Sequence, residues 1–106
     1  MNEKIIFITC KDIKEARKIS KTLLEQKLVA CTNIIKGVSS SYWWKGKIEN
    51  SNEALITAKT TKKLFDKVVL AVKKIHSYQV PEIIAVPIIS GNPDYLKWIK
   101  EVTRWK

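Results

Sequence analysis

The 106-residue chain carries 20 basic against 10 acidic residues, a net charge of +10, and 45% of its residues are hydrophobic. That length predicts a single domain over residues 1–106, and the apolar content excludes a disordered chain. The charge surplus predicts salt-sensitive attraction to polyanions and says nothing about fold.

The N-terminal "MNEKIIFITCKD" holds one short apolar, β-branched run and reads as a first strand ending at Cys10. It is too short for a signal-peptide core and far short of the ~20 residues of a membrane span. Cys10 and Cys31 are too few for a disulfide framework, which predicts reduced thiols in a cytoplasmic protein without a membrane partner. "KDIKEARKISKTLLEQK" follows as a helix, with Ile13, Ala16, Ile19, Leu23 and Leu24 at helical spacing and lysines opposite. Asp12 is placed to cap it, and Glu15 to return the capping bond.

"LVACTNIIK" predicts a second strand broken near Gly37, and Lys45-Gly46 the tip of a hairpin. "EALITAK" predicts the third strand, and "TTKKLFDKVVLAVKKIH" a second helix behind a threonine cap. "PEIIAVPIIS" predicts the fourth strand, and Asn92-Pro93 the cap and first residue of a short terminal helix. This order is that of an α+β, ferredoxin-like (split βαβ) sandwich: a four-stranded antiparallel sheet with an extended hairpin and a short C-terminal helix. Strands one and three then lie in the middle. Pro87 agrees with a fourth strand at an edge.

"SSYWWKGKIEN" at residues 40–50 poses a burial problem. Adjacent strand residues face opposite sides, so Trp43 and Trp44 cannot both enter one core. An indole hides roughly 200 Å², on the order of 5 kcal/mol as an upper bound. With both helices on one sheet face, Tyr42, Trp43, Trp44 and the bare face predict burial between subunits of a homo-oligomer. The alternative is that the terminal helix, with Trp98 and Trp105, folds back over them.

Ala30-Cys31, Ser40-x-Tyr42-x-Trp44-x-Gly46-Lys47, Glu53, Lys59-Thr60, His76-x-Tyr78-x-x-Pro81-Glu82 and Tyr95-Leu96-x-Trp98, taken together, resemble the CutA divalent-cation tolerance family. The match runs from about Cys10 to Trp98, and its specificity lies in the combination. The resemblance implies a tight homotrimer with sheets facing inward and the hairpin, with Tyr42, Trp43, Trp44 and Trp98, at the interface. It also implies an architecture similar to the PII signalling proteins and a link to tolerance of copper and other divalent cations.

On that resemblance, Cys10 and His76 are the candidate metal ligands, a thiolate and an imidazole suited to copper or zinc. Where some relatives carry a second histidine, this chain has Ile75. Tyr42, Trp44, Glu53, Lys59, Tyr78 and Glu82 form a candidate ligand cleft between chains, with Lys59 offering charge to a small anionic ligand, as in a PII-like sensor. The competing reading is polar packing at an interface. RNA-recognition domains share the topology but present aromatic residues on both central strands. Here those strands offer only Phe7, so no specific nucleic-acid recognition is expected. No nucleophile–base–acid set is evident, so neither catalysis nor an organic cofactor is expected. The expected function is cation tolerance through binding of copper or another divalent cation.

Overall fold

Alternation along the first strand sets the layers. In β1 (Glu3–Cys10), Ile6, Ile8 and Cys10 are wholly buried, whereas Ile5, Phe7 and Thr9 between them are partly covered. The structure is a computed structural model and describes residues 2–103. After β1 come α1 (Ile13–Glu25), β2 (Cys31–Trp44), β3 (Lys47–Thr61), a 3-10 turn over Lys62–Leu64, α2 (Phe65–Ile75), β4 (Ile83–Pro87) and α3 (Pro93–Val102). The sheet order is β2-β3-β1-β4 with every pairing antiparallel. The ferredoxin-like order is therefore the observed one, with Pro87 closing the edge strand β4. The core joins Ile6, Ile8 and Ile56 of the central strands to Ala16, Ile19 and Leu23 of α1 and Val68 and Val72 of α2.

Several boundaries differ from the sequence expectation for local reasons. Asp12 caps α1, its Oδ1 accepting from Glu15 N–H at 2.8 Å, but the Glu15 side chain does not return to the cap residue. It takes the Lys11 and Ser77 amides instead. Leu24 turns outward, 41% exposed. Leu28 and Val29 are buried before β2 begins, because Lys27, at φ 57, turns the chain out of α1. The expected break at Gly37 is a bulge: Ile35 pairs with Leu55 and Val38 with Glu53, with Gly37 in the left-handed region at φ 72. β2 then runs on to Trp44. The expected threonine cap makes no side-chain bond, and α2 is entered through the 3-10 turn.

Beyond Ala54, β3 pairs only with β2, so residues 38–53 project as a two-stranded arm. Lys45 and Gly46, at φ 51 and 79, close it as a two-residue turn with both φ values positive, the form that matches strand twist.

The terminal helix does not cover this arm. α3 crosses the sheet face opposite α1 and α2, where the register puts Glu3 and Cys31 in line with Ile5 and Phe7. Lys100 reaches the buried Glu3 carboxylate at 3.6 Å. The Tyr95 hydroxyl lies 3.4 Å from Cys31 Sγ, and Ile99 is wholly buried. That shields one end of the face only: Ile35, Ile84 and Val86 remain exposed, and Trp43 is 72% exposed. Trp98 packs on Tyr95 at 5.4 Å between ring centroids. Trp105 lies outside the described residues.

Candidate functional site

The ends of three elements converge behind the sheet. Cys10 closes β1, Glu15 sits in the first turn of α1, and His76 is the C-terminal cap of α2. One ligand atom from each lies within 4.8 Å of the others, the only such cluster among the described residues. Cys10 and His76 are the pair expected from sequence. Glu15 is the member that sequence reasoning missed, because its spacing from Asp12 read fully as a capping box.

Every side-chain polar atom of Glu15 and His76 is in use. Glu15 Oε1 accepts from Lys11 N–H at 3.0 Å and Oε2 from Ser77 N–H at 2.8 Å. His76 Nδ1 accepts from Tyr78 N–H at 3.0 Å, and its Nε2 lies 2.7 Å from the Thr9 carbonyl oxygen. A carbonyl oxygen only accepts, so Nε2 carries the ring proton and Nδ1 offers its lone pair. Burial pushes the Glu15 carboxyl upward, but the two amide bonds, with His76 nearby, outweigh it and hold it below its usual range. Burial, then the Glu15, Glu53 and Asp12 carboxylates, push the Cys10 thiol up to about 12, so at neutral pH it keeps its proton.

The loop after His76 leads to the second feature. A groove of about 860 Å³ runs between the arm and residues 77–82, and Tyr42, Trp44, Glu53, Tyr78 and Glu82 line it with Trp43 and Glu49. Five of the six expected cleft residues are thus brought together. Lys59 is not among them: its Nζ donates to Asn33 Oδ1 at 2.9 Å, on the sheet face that α3 crosses. The groove consequently presents three carboxylates and, among the described residues that line it, no lysine or arginine. Glu53 is only 7% exposed, and the Tyr78 hydroxyl donates to its Oε2 at 2.5 Å. Burial, then Glu53, raise the Tyr78 phenol above its ordinary pKa, so it stays a donor.

The cluster and the groove therefore share one short segment. A thiol, an imidazole and a carboxylate form a donor set that suits copper or zinc. A cation entering there must take the place of hydrogen bonds that now fill the site.

Comparison with known proteins gives the family and the fold. The family model described as CutA1 divalent ion tolerance protein matches residues 4–102. The chain is 44% identical over 101 residues to the divalent-cation tolerance protein CutA of Thermus thermophilus, covering 95% of this chain and 98% of that one. It is 42% identical over 97 residues to Protein CutA of Mus musculus, covering 92% of this chain and 55% of the mouse protein. The chain thus spans about half the length of that relative. The crystal structure of CutA1 from Oryza sativa superposes with a TM-score of 0.95 at 37% identity, over 100% of this chain and 97% of that one.

Proposed function

The chain belongs to the CutA1 divalent ion tolerance family, and on that premise we propose that it binds a divalent cation, copper or zinc, through Cys10, His76 and Glu15. One observation carries this reading: sulfur, nitrogen and oxygen donors from three separate elements converge within 4.8 Å. Cys10 supplies the soft ligand, His76 the borderline one and Glu15 a negative charge. Loading requires the thiol proton to leave, so affinity rises with pH.

The binding form we propose is a homotrimer. Its support is the apolar surface that a single chain leaves uncovered: Trp43 on the arm, and Ile35, Ile84 and Val86 on the sheet face beside α3. The location we propose is cytoplasmic, and its support is that both cysteines are free thiols. The reading contains no catalytic step, since the only histidine directs both ring nitrogens at backbone groups.

The groove favours a second reading, a small-ligand cleft in the manner of a sensor. Its support is the aromatic lining and the buried Tyr78–Glu53 pair. Its three carboxylates suit a neutral or cationic ligand better than an anionic metabolite.

Titration calorimetry with copper(II) and zinc(II) tests the first reading. Wild type binds, whereas Cys10→Ser and His76→Ala lose affinity by tenfold or more, roughly the effect of one good ligand contact. Equal binding by all three removes the cluster from the site.

A further inference from the structure

We propose that the cation cluster and the groove form one coupled device, in which a cation on His76 releases the backbone amide of Tyr78 and so loosens the groove wall. The inference rests on the reading of the cluster as the cation site and adds its regulation.

The argument is one of lone pairs. A neutral imidazole has a single acceptor nitrogen and a single N–H. In the structure the acceptor is Nδ1, engaged by Tyr78 N–H at 3.0 Å, while Nε2–H serves the Thr9 carbonyl at 2.7 Å. A cation bound through Nδ1 takes that lone pair directly, and Tyr78 N–H loses its acceptor. A cation bound through Nε2 forces the ring proton onto Nδ1, which then faces Tyr78 N–H donor to donor. Either route breaks the same bond.

Glu15 adds to the effect. Its Oε2 holds the Ser77 amide at 2.8 Å, and a carboxylate drawn toward a cation loosens that tie as well. Ser77 and Tyr78 both line the groove. The Tyr78 ring, 4.8 Å from the His76 ring between centroids, ends in the hydroxyl that holds Glu53. Filling the cluster therefore disturbs the residue that ties the groove's two sides together. By linkage, whatever occupies the groove changes cation affinity by the same factor.

The test is zinc titration of uniformly ¹⁵N-labelled protein, zinc being diamagnetic, with binding measured in parallel by calorimetry. Zinc saturation is expected to shift the Tyr78 and Ser77 amide resonances and speed Tyr78 amide exchange by about tenfold, the loss of one hydrogen bond. Zinc that binds without moving the Tyr78 amide overturns the coupling and leaves the cation site standing. Absence of zinc binding overturns both. His76→Asn supplies a folded control, because Asn Oδ1 can accept the amide two residues on in an Asx turn. That variant is expected to keep Tyr78 N–H protected and to lose the zinc response. A zinc response that persists in it shows that release does not run through the imidazole, and the proposal falls.

Discussion

The Tyr78 hydroxyl and the Glu53 carboxylate lie 2.5 Å apart, tying the loop after α2 to the root of the arm. Short bonds of this kind, from a phenol to a carboxylate, are charge-assisted. Glu53 is almost wholly buried, and the Tyr78 hydroxyl is the donor that satisfies its Oε2. Tyr78→Phe is expected to destabilise the fold by about 1–3 kcal/mol, the cost of leaving a buried acceptor unpaired. Glu53→Gln in the same background recovers part of the loss by removing the stranded charge. Urea unfolding of the two single variants and the double variant, at one protomer concentration, reads the coupling; strict additivity would mean the bond contributes nothing.

Glu15 predicts an acid limb. Its folded-state pKa lies below its ordinary value of 4.5, so the unfolded chain binds the proton more readily. The stability it contributes is fully present above about 4.5 and is lost as pH falls through the lower folded-state value. Glu15→Gln, which keeps one oxygen acceptor, is expected to be less stable at neutral pH and to lose less on acidification. Unfolding free energies from pH 7 down to 3 should converge for wild type and variant. Parallel curves would show that the Lys11 and Ser77 amides do not hold the charged form preferentially.

Most of the fold was legible in the chain, because periodicity and punctuation agreed at each level. Alternation in "KIIFITC", the Asp12 and Asn92 caps and the Lys45-Gly46 turn all survive in the structure. What misled was context. Gly37 reads as a break, yet its positive φ serves a bulge that lets β2 continue. Glu15 reads as a capping partner because three-residue spacing is the capping signal, whereas Ser77, 62 positions away, competes for its carboxylate. Lys59 belonged to the right motif but lies six residues along β3 from Glu53, roughly 20 Å at the rise of a strand, and no local pattern reports where along a strand a groove will open.

Cys10 predicts an alkaline limb of opposite sense. Its thiol is pushed from 9.0 up to about 12 by burial and neighbouring carboxylates, so above pH 9 the unfolded chain sheds this proton first. Stability from this group is fully present below pH 9 and declines as pH rises toward 12. Cys10→Ala removes the titrating group at the expense of a small cavity, and is expected to flatten the pH 9–11 dependence relative to wild type. The difference between the two curves is the informative quantity, since lysines titrate in both. An unchanged difference across that range would place the thiol in a wetter setting than its complete burial allows.

The uncovered apolar surface predicts the assembly. Ile35 and Ile84 sit on the sheet face opposite α1 and α2, and both are about half exposed. Trp43 projects from the arm. Three chains of 12.2 kDa that shelter these residues mutually should sediment as a single trimeric species at micromolar concentration. In the proposed trimer, a charge on the sheet face, as in Ile84→Glu, would be taken out of water, a penalty of several kcal/mol per buried charge. Ile84→Glu is therefore expected to dissociate the trimer into monomers, while Leu70→Glu, on the exposed outer side of α2, leaves it intact. Trp43→Ser should weaken association without abolishing it, because it removes ring area but adds no charge. Analytical ultracentrifugation of the three variants beside wild type decides the matter; wild type that sediments as a monomer at these concentrations rejects the assembly outright.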